Sequence, residues 1–485
     1  MSKFYVTTSI AYTNSTPHIG YAMELIQADV LARYHRQRGD DVWFLTGTDE
    51  HGAKIDRAAE AAGKTPQLFV DELSQAFRDL KSILNLSNDQ FIRTTDPEHK
   101  KAAQTLWKAC QADIYQAEYE GNYCVDCELF YGATEAVDGK CPVHEKILES
   151  QKQTNYFFKL SKYSDQIRTL IEADTLKILP VSRKNEILAL LERGLEDISI
   201  SREKTQLTWG IPVPGDADQV MYVWFDALTN YVSALGYPDG EKFNQFWPAD
   251  YHVIGKDITR QHAAIWPAML LSAGLPVPLA IYAHGWIQIS GEKISKSKGN
   301  SIAPQEVIDQ YGLDALRYYL LREIPSTSDG EFSWERFEAT YNSDLANELG
   351  NLVQRVAVMS NRYLEGKIGA IPPHSHDASS FEIAMSELRF DKALEEIWAL
   401  VKGLNQYLEE EKPWTVAKTD MEATSDILHH AISDILQIAT LVLPFMPTTA
   451  QKIAATFAAG KIDLSVGVLF PKAEMIDKTD IEIKG

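Results

Sequence analysis

The start of the chain constrains its fold more than any other segment. A β-rich run, Phe4 to Ile10, gives way through the turn cluster Thr13 to Pro17 to an apolar pattern of helical period from Ile19 to Gln37. Gly39 follows, and a second strand runs from Asp41 to Thr46. Strand, helix and strand in this order form a βαβ unit, which belongs in a parallel sheet covered by helices. A second half of the same kind begins at Val220. It passes through a strand in Tyr251 to Asp257, a helix from Ile258 to Ala273, and a strand from Leu279 to His284. The predicted fold class is therefore α/β: a Rossmann-type parallel sheet in two halves, followed from about Phe337 by an almost continuous helical pattern that reads as a separate all-α bundle.

Between the halves, helical periodicity runs from Ile55 to about Tyr115 with a break near Thr94 to Pro97, and strand and turn signals return from Gly194 to Pro214. The segment Tyr123 to His144 carries Gly132, Gly139 and Pro142 and too little apolar surface to fold unaided. It does carry Cys124-Val-Asp-Cys127 and Cys141-Pro-Val-His144, the ligand types and spacing of a tetrahedral zinc site. Four protein ligands leave no open position, so the zinc is expected to be structural. Cys110 stands outside this set and is expected to be a buried helix residue. Four cysteines in 485 residues make no disulfide framework, and thiols kept for metal point to a reducing compartment, the cytoplasm.

At roughly 150 residues per domain the length suggests about three domains. Lys+Arg 47 against Asp+Glu 68 leaves a net charge of −21, which excludes wholesale attraction to nucleic acid or an anionic membrane. Any phosphate or RNA contact must then be local; Arg183, Lys184, Arg202, Lys204 and Arg355, Arg362 are candidates. The first residues lack the pattern of a signal peptide, and the most apolar stretches are broken by Pro or carry Asp434 and Gln437, so no membrane span is expected.

Pro17-His18-Ile19-Gly20-Tyr21 lies where the first strand gives way to the first helix, so backbone N–H groups and an imidazole face a ligand there, with phosphate the natural guest. A histidine that merely caps the helix start is the bland alternative. Gly291-Glu-Lys293-Ile-Ser-Lys296-Ser-Lys298-Gly299 sets three lysines on a Gly-flanked loop, suited to the growing charge of a leaving pyrophosphate, or else simply solvated. Asp49, in Gly47-Thr-Asp-Glu-His-Gly52, sits at the carboxyl end of the second strand, where open α/β sheets bind ligands. In the helical region Asn347, Asn351 and Arg355 recur at i, i+4, i+8 on one face, and Trp414 follows a Pro at a helix start; unstacked bases are read by such edges and stacks, although a solvated stripe and a core Trp are the plainer reading.

Taken together, His-x-Gly near the start and Lys-x-Ser-Lys-Ser later resemble the two signatures of class I aminoacyl-tRNA synthetases. Within that class the chain resembles the methionyl-tRNA synthetases over essentially its whole length, through SIAYTNSTPHIGY, FLTGTDEHG, the cysteine lobe, GLEDISISR, VWFDALTNY, VIGKDI, HGW, KISKSKGNS, DLANELGNLVQR and EKPW. The resemblance implies a methionine–tRNA ligase that makes methionyl-adenylate from methionine and Mg2+-ATP and transfers the acyl group to the 3′-terminal adenosine of tRNA(Met), initiator included. It implies that His18 and Tyr21 act at the phosphates and that Lys293 and Lys296 neutralise pyrophosphate. Glu24, Gly255 and Asp257 would hold the ribose, and the backbone of Trp286 and Ile287 would meet the adenine edge. Asp49 would take the substrate ammonium, with Ile10, Tyr12, Trp224, Ala227, Leu228, Tyr231, Ile258 and His262 forming the methionine pocket. Asn347, Asn351, Arg355 and Trp414 would read the anticodon.

The implied organisation is 1–115 first catalytic half, 116–200 connective insertion with the zinc knuckle, 201–290 second half, 291–336 lysine loop and stem-contact region, and 337–485 anticodon-binding bundle. Tyr21 stands where the family's second signature histidine is expected, removing a positive charge but keeping a donor. Ile294, Leu228 and Ser9 are milder departures. The chain ends after the bundle, and a monomer is expected. The alternatives are a class I synthetase for another amino acid, a smaller nucleotidyltransferase, or a catalytically weak tRNA-binding paralogue.

Overall fold

The computed structural model describes residues 2–124, 129–131, 136, 138–142, 146–294, 301–372, 377–457 and 460–473. The chain divides into two compact units, Met1–Pro17 with His35–His284, and His18–Tyr34 with Gly285–Gly485.

The first unit is built on seven parallel strands: β1 Lys3–Thr8, β2 Ala11–Tyr12, β3 Asp41–Asp49, β4 Gln90–Arg93, β5 Lys177–Leu179, β6 Tyr251–Gly255 and β7 Ala280–His284. β1 lies between β3 (Lys3↔Asp41) and β6 (Val6↔Tyr251); β7 follows β6, and β5 joins β7. β2 and β4 both pair with β3. Winding thus proceeds from β1 toward β3 on one side and toward β6 and β7 on the other. The switch falls between β1 and β6, and such sheets take ligands outside the carboxyl ends of the strands at that point. From Phe4 onward β1 is buried, as strands covered on both faces must be.

Two strands depart from the sequence reading. β4 interrupts what the periodicity treats as helix between Ile55 and Tyr115; it is four residues flanked by the helices Pro66–Ile83 and Pro97–Ala109. It runs so close to β3 that a Cβ on Gly47 would lie 2.1 Å from the Ile92 carbonyl oxygen, which accounts for that glycine. β5 falls inside 116–200, assigned from sequence to the insertion, yet it pairs with β7. The reason is apolar: Ile178, with Ile167 and Ile171 of the helix Ser164–Glu172 and Ile187 and Leu191 of the helix Val181–Glu192, is buried in the core of this unit. The insertion proper is an antiparallel sheet of Ile114–Cys124, Leu129–Tyr131, Glu149–Phe158 and Ile198–Ser199.

The helix expected over Ile258 to Ala273 is three pieces: a 3-10 turn at Lys256–Ile258, a π-helical segment Gln261–Ile265, and an α-helix Trp266–Ser272. Pro267 has no N–H to donate four residues back, which favours the wider turn just before it.

In the second unit the apolar positions of Phe390–Glu411 (Phe390, Ala393, Leu394, Ile397, Trp398, Val401, Leu404, Leu408) recur every three or four residues and are buried. The helix stops at Lys412, left-handed at φ 46, and Pro413 opens the next turn. Met421–Val442, Pro447–Thr456 and Asn351–Tyr363 complete the bundle, the last entered through a π-helical stretch Tyr341–Gly350. Fully buried Arg317 ties the helix Ile19–Gln37 to this bundle. Its Nη2 is 2.8 Å from Asp29 Oδ2, and its guanidinium donates to the carbonyls of Phe445 (2.7 Å) and Pro444 (2.9 Å), so a buried charge has both its counter-ion and its hydrogen bonds. Among the described residues no helix is long and apolar enough to cross a membrane.

Candidate active site

In the first unit, the expected methionine-site residues collect at the carboxyl edge of the parallel sheet. Ile10 and Tyr12 follow β1, Asp49 ends β3, Gly255 ends β6, and Asp257 and Ile258 form the turn after it. Trp224, Ala227 and Leu228 lie on the short helix Val223–Leu228, and Tyr231 on Asn230–Ser233. Ala227, Leu228 and Tyr231 are buried, while Ile10, Tyr12, Trp224 and Ile258 are half-buried. Asp257 is exposed. A Cβ on Gly255 would lie 2.8 Å from its Oδ1, so only glycine leaves that carboxylate where it is.

His262 and Tyr231 form one polar unit. His262 Nδ1 lies 2.9 Å from the Ile258 carbonyl, which can only accept, so Nδ1 carries the proton. Burial pushes this imidazole down to about 4, against the opposing pull of that carbonyl, so it is neutral. Its Nε2 must then accept from the Tyr231 hydroxyl at 2.7 Å. Tyr231 is held in turn by His252, stacked at 4.0 Å between ring centres, and its carbonyl accepts from Tyr5 Oη at 2.8 Å. Trp224 meets His262 edge-on at 6.2 Å. The π-helical segment carries His262, so the Pro267 irregularity helps set its direction.

The loop after β3 is anchored residue by residue. The Asp49 carbonyl accepts from Thr13 N (3.1 Å) and Thr13 Oγ1 (3.0 Å). Glu50, fully buried, accepts from Thr48 Oγ1 (2.7 Å) and from Arg93 Nε and Nη2 (2.7 and 2.8 Å). His51 Nδ1 lies 2.7 Å from Asp226 Oδ2, and His99 Nε2 lies 2.7 Å from Asp226 Oδ1. Sequence reasoning missed Glu50, His51, His99 and Asp226. A usable signal existed for three of them, since Glu50 and His51 sit inside the Gly47 to Gly52 motif and Asp226 is the one charge in the apolar run Val223 to Leu228.

The second unit holds the phosphate-side candidates. Gly20 N donates to His18 Nδ1 at 3.1 Å, so the local capping role is real. That bond keeps Nδ1 unprotonated and puts the ring proton on Nε2, a neutral donor for an anion. A Cβ on Gly20 would lie 2.9 Å from this ring, which accounts for the glycine in His-x-Gly. Tyr21 is half-buried one residue on, Glu24 is buried, and Ile19 N donates to the Ile302 carbonyl (3.0 Å), tying the helix start to the chain just past the lysine loop. Trp286 N donates to Asp329 Oδ1 (2.9 Å), while its carbonyl accepts from Gly330 N (3.0 Å) and that of Ile287 from Ile294 N (3.2 Å). An adenine edge would thus find the Trp286 N–H committed to Asp329. Ile294 is buried, as the apolar member of the loop should be. Lys293 lies in the short strand Glu292–Lys293; Lys296 is outside the described residues.

In the cysteine lobe, Cys124 and Cys141 are both buried, clustered among the described residues with Leu148, while Cys127 and His144 lie outside the described residues. Asp138 (φ 52) and Gly139 (φ 70) turn the chain, and Lys140 bridges Ile147 across Cys141. Two thiols buried side by side in one cluster fit a lobe stapled by metal.

On the bundle, Asn347 and Asn351 are exposed. Arg355 lies over the Trp414 ring at 5.8 Å and bonds Glu409 at 2.6 Å. The π-helical stretch carries Asn347, so the assumed i, i+4 alignment with Asn351 is not that of a regular helix. Of the basic strip expected on the first unit, Lys204 is exposed and Arg202 is not available. Arg202 is buried, 4.8 Å over Tyr222 with Nη1 on the Ser201 carbonyl, while Arg183 and Lys184 each pair with an acid, Glu186 and Asp174, at 2.6 Å.

Comparison with known proteins agrees with this geometry. The family model for tRNA synthetases class I (M) matches residues 4–149 and 133–357, and that for the anticodon binding domain of methionyl tRNA ligase matches 374–467. Methionine–tRNA ligase of Thermotoga maritima is 43% identical over 472 residues, 93% of this chain and 74% of its own. That of Clostridium acetobutylicum is 44% identical over 469 residues, 93% of this chain and 72% of its own. A crystal structure of Mycobacterium tuberculosis methionyl-tRNA synthetase bound by methionyl-adenylate superposes with a TM-score of 0.90 at 37% identity, covering 97% of this chain and all (100%) of that one. An α/β parallel-sheet domain, an all-α anticodon domain and two independent family matches together make this chain a member of the methionyl-tRNA synthetase family of class I.

Proposed function

We propose that the chain is a methionine–tRNA ligase acting on methionine, Mg2+-ATP and tRNA(Met), the initiator included. The methionine carboxylate attacks the α-phosphorus of ATP, the bond to pyrophosphate breaks, and the adenylate's acyl carbon is then attacked by a hydroxyl of the terminal adenosine, releasing AMP. The observation that carries the reading is the neutral His262–Tyr231 pair on the same sheet edge as Asp49. A buried polar pair without charge, beside Trp224, suits a polarizable thioether without the cost of desolvating an ion. Asp49 takes the ammonium, and Ile10, Tyr12, Ala227, Leu228 and Ile258 complete the apolar wall.

His18, as an Nε2–H donor, stabilises charge at the phosphates, with Tyr21 adding a neutral donor; Lys293 and Lys296 neutralise pyrophosphate as it leaves. Glu24, Gly255 and Asp257 hold ribose, and the Trp286–Ile287 backbone meets the adenine edge. Zinc, held by Cys124, Cys127, Cys141 and His144, would supply structural stapling alone. Asn347, Asn351, Arg355 and Trp414 read the anticodon. Reduced thiol ligands support a cytoplasmic setting.

Amino-acid-dependent ATP–pyrophosphate exchange across all twenty amino acids tests this. Methionine alone should drive exchange, and Lys296→Ala should abolish it. Exchange driven by another amino acid would redirect the pocket, and tRNA binding without exchange would leave a non-catalytic paralogue.

A further inference from the structure

Asp226 lies on the helix Val223–Leu228 between pocket residues Trp224 and Ala227, but its carboxylate turns away into the core, where it is 1% exposed. One oxygen bonds His51, two residues past Asp49; the other bonds His99 on Pro97–Ala109, whose Nδ1 reaches Ser233 Oγ at 2.8 Å. A single carboxylate thus joins three elements: the loop that carries the ammonium-binding residue, the helix that walls the side chain, and a core helix behind both. His51 is gripped from its other side by Trp209, at 5.3 Å between rings, and the Trp209 indole N–H donates to the Glu50 carbonyl at 2.5 Å. Burial alone would raise the Asp226 carboxyl, but His51 and His99 more than offset it and bring it to about 2, so the group that holds both rings is a carboxylate.

We propose that Asp226 is a positioning residue for methionine: by holding His51 and His99 at once it fixes Asp49 relative to Trp224, Ala227 and Leu228, and so sets the spacing between the ammonium and the side chain of the bound amino acid. The inference rests on the methionine-activation reading. A pocket that recognises two ends of a small ligand loses affinity for the doubly anchored ligand when its two walls shift independently, whereas a ligand held at one end is nearly indifferent.

The test is Asp226→Asn in pyrophosphate exchange. Asn can accept from only one histidine at a time and presents an N–H2 to the other. The KM for methionine should rise at least tenfold while the KM for ATP stays within twofold. Competitive inhibition by a methionine analogue with hydrogen in place of the amino group should change less than twofold. A merely structural role would instead move both KM values together, and that result, or an unchanged KM for methionine, overturns the proposal. Should the Asn variant not fold, His51→Gln, which keeps the Asp226–His99 bond, decides by the same split. Wild-type protein that fails to activate methionine would sink the functional reading itself, whereas wild-type activation with indifferent variants sinks only this inference.

Discussion

The residues proposed to hold methionine and those proposed to read the anticodon are built in opposite ways. In the pocket, polar groups are buried and each is fixed by another: Tyr231 by His262, His262 by Ile258, the Asp49 loop by Thr13 and Asp226. On the bundle, Asn347 and Asn351 stand in solvent and Arg355 rests on Trp414 with one acid beside it. A buried site is part of the fold, so its residues serve stability and specificity together; exposed side chains such as Asn347 and Asn351 can be changed with little cost to the fold.

The contrast is testable. Asp49→Asn should have the largest effect, because it leaves an ammonium in a closed site without its counter-charge: about 3–5 kcal/mol, or roughly 10²–10⁴-fold in kcat/KM for methionine. A change under threefold would remove Asp49 from the site. Tyr231→Phe strands the buried Nε2 of His262, for about 1–3 kcal/mol. It should lower the urea midpoint and raise the KM for methionine together. Trp414→Ala should reduce kcat/KM for tRNA by roughly 10–100-fold, through a stack worth about 1–3 kcal/mol, while exchange and Tm stay unchanged. If it lowered Tm as much as Tyr231→Phe, the distinction between the two surfaces would fail.

The remaining effect is in pH. The His262 imidazole stays neutral in the fold down to about 4, while the unfolded chain takes up the proton near the ordinary value of about 6.5. Between these values the unfolded state binds more protons, so the contribution is complete above 6.5 and is lost as pH falls toward 4. The Tm advantage of wild type over His262→Gln should therefore shrink across that window. A constant gap would mean that His262 is not held neutral by burial.

What could be read from sequence divides along similar lines. The strands β1, β3, β6 and β7 announce themselves through apolar runs bounded by turn residues, and the signature residues cluster within a few positions of each other. β4 and β5 do not, being four and three residues long on the flanks of the sheet and too short to show a period. The burial of Arg202 and the link from His51 to Asp226 escape for another reason. The link joins residues 175 apart, and no local pattern encodes which distant charge a histidine will meet. The π-helical turn at His262 was half legible: Pro267 marks where a helix must give way, but not that the ladder would widen to keep going.

The central strand of the sheet has a consequence for how the molecule comes into being. β1 is complete eight residues into the chain, but its partner β6 lies far downstream, with Tyr5 and Asp250 separated by 245 positions. At a ribosome speed of about 5–20 residues per second, one side of β1 waits roughly 10–50 s for its neighbour to emerge. Through that interval the first βαβ half must stand with an open apolar edge at its middle, the exposure that favours wrong pairing. The parallel sheet is therefore the part of the molecule whose yield should respond most to translation speed and temperature.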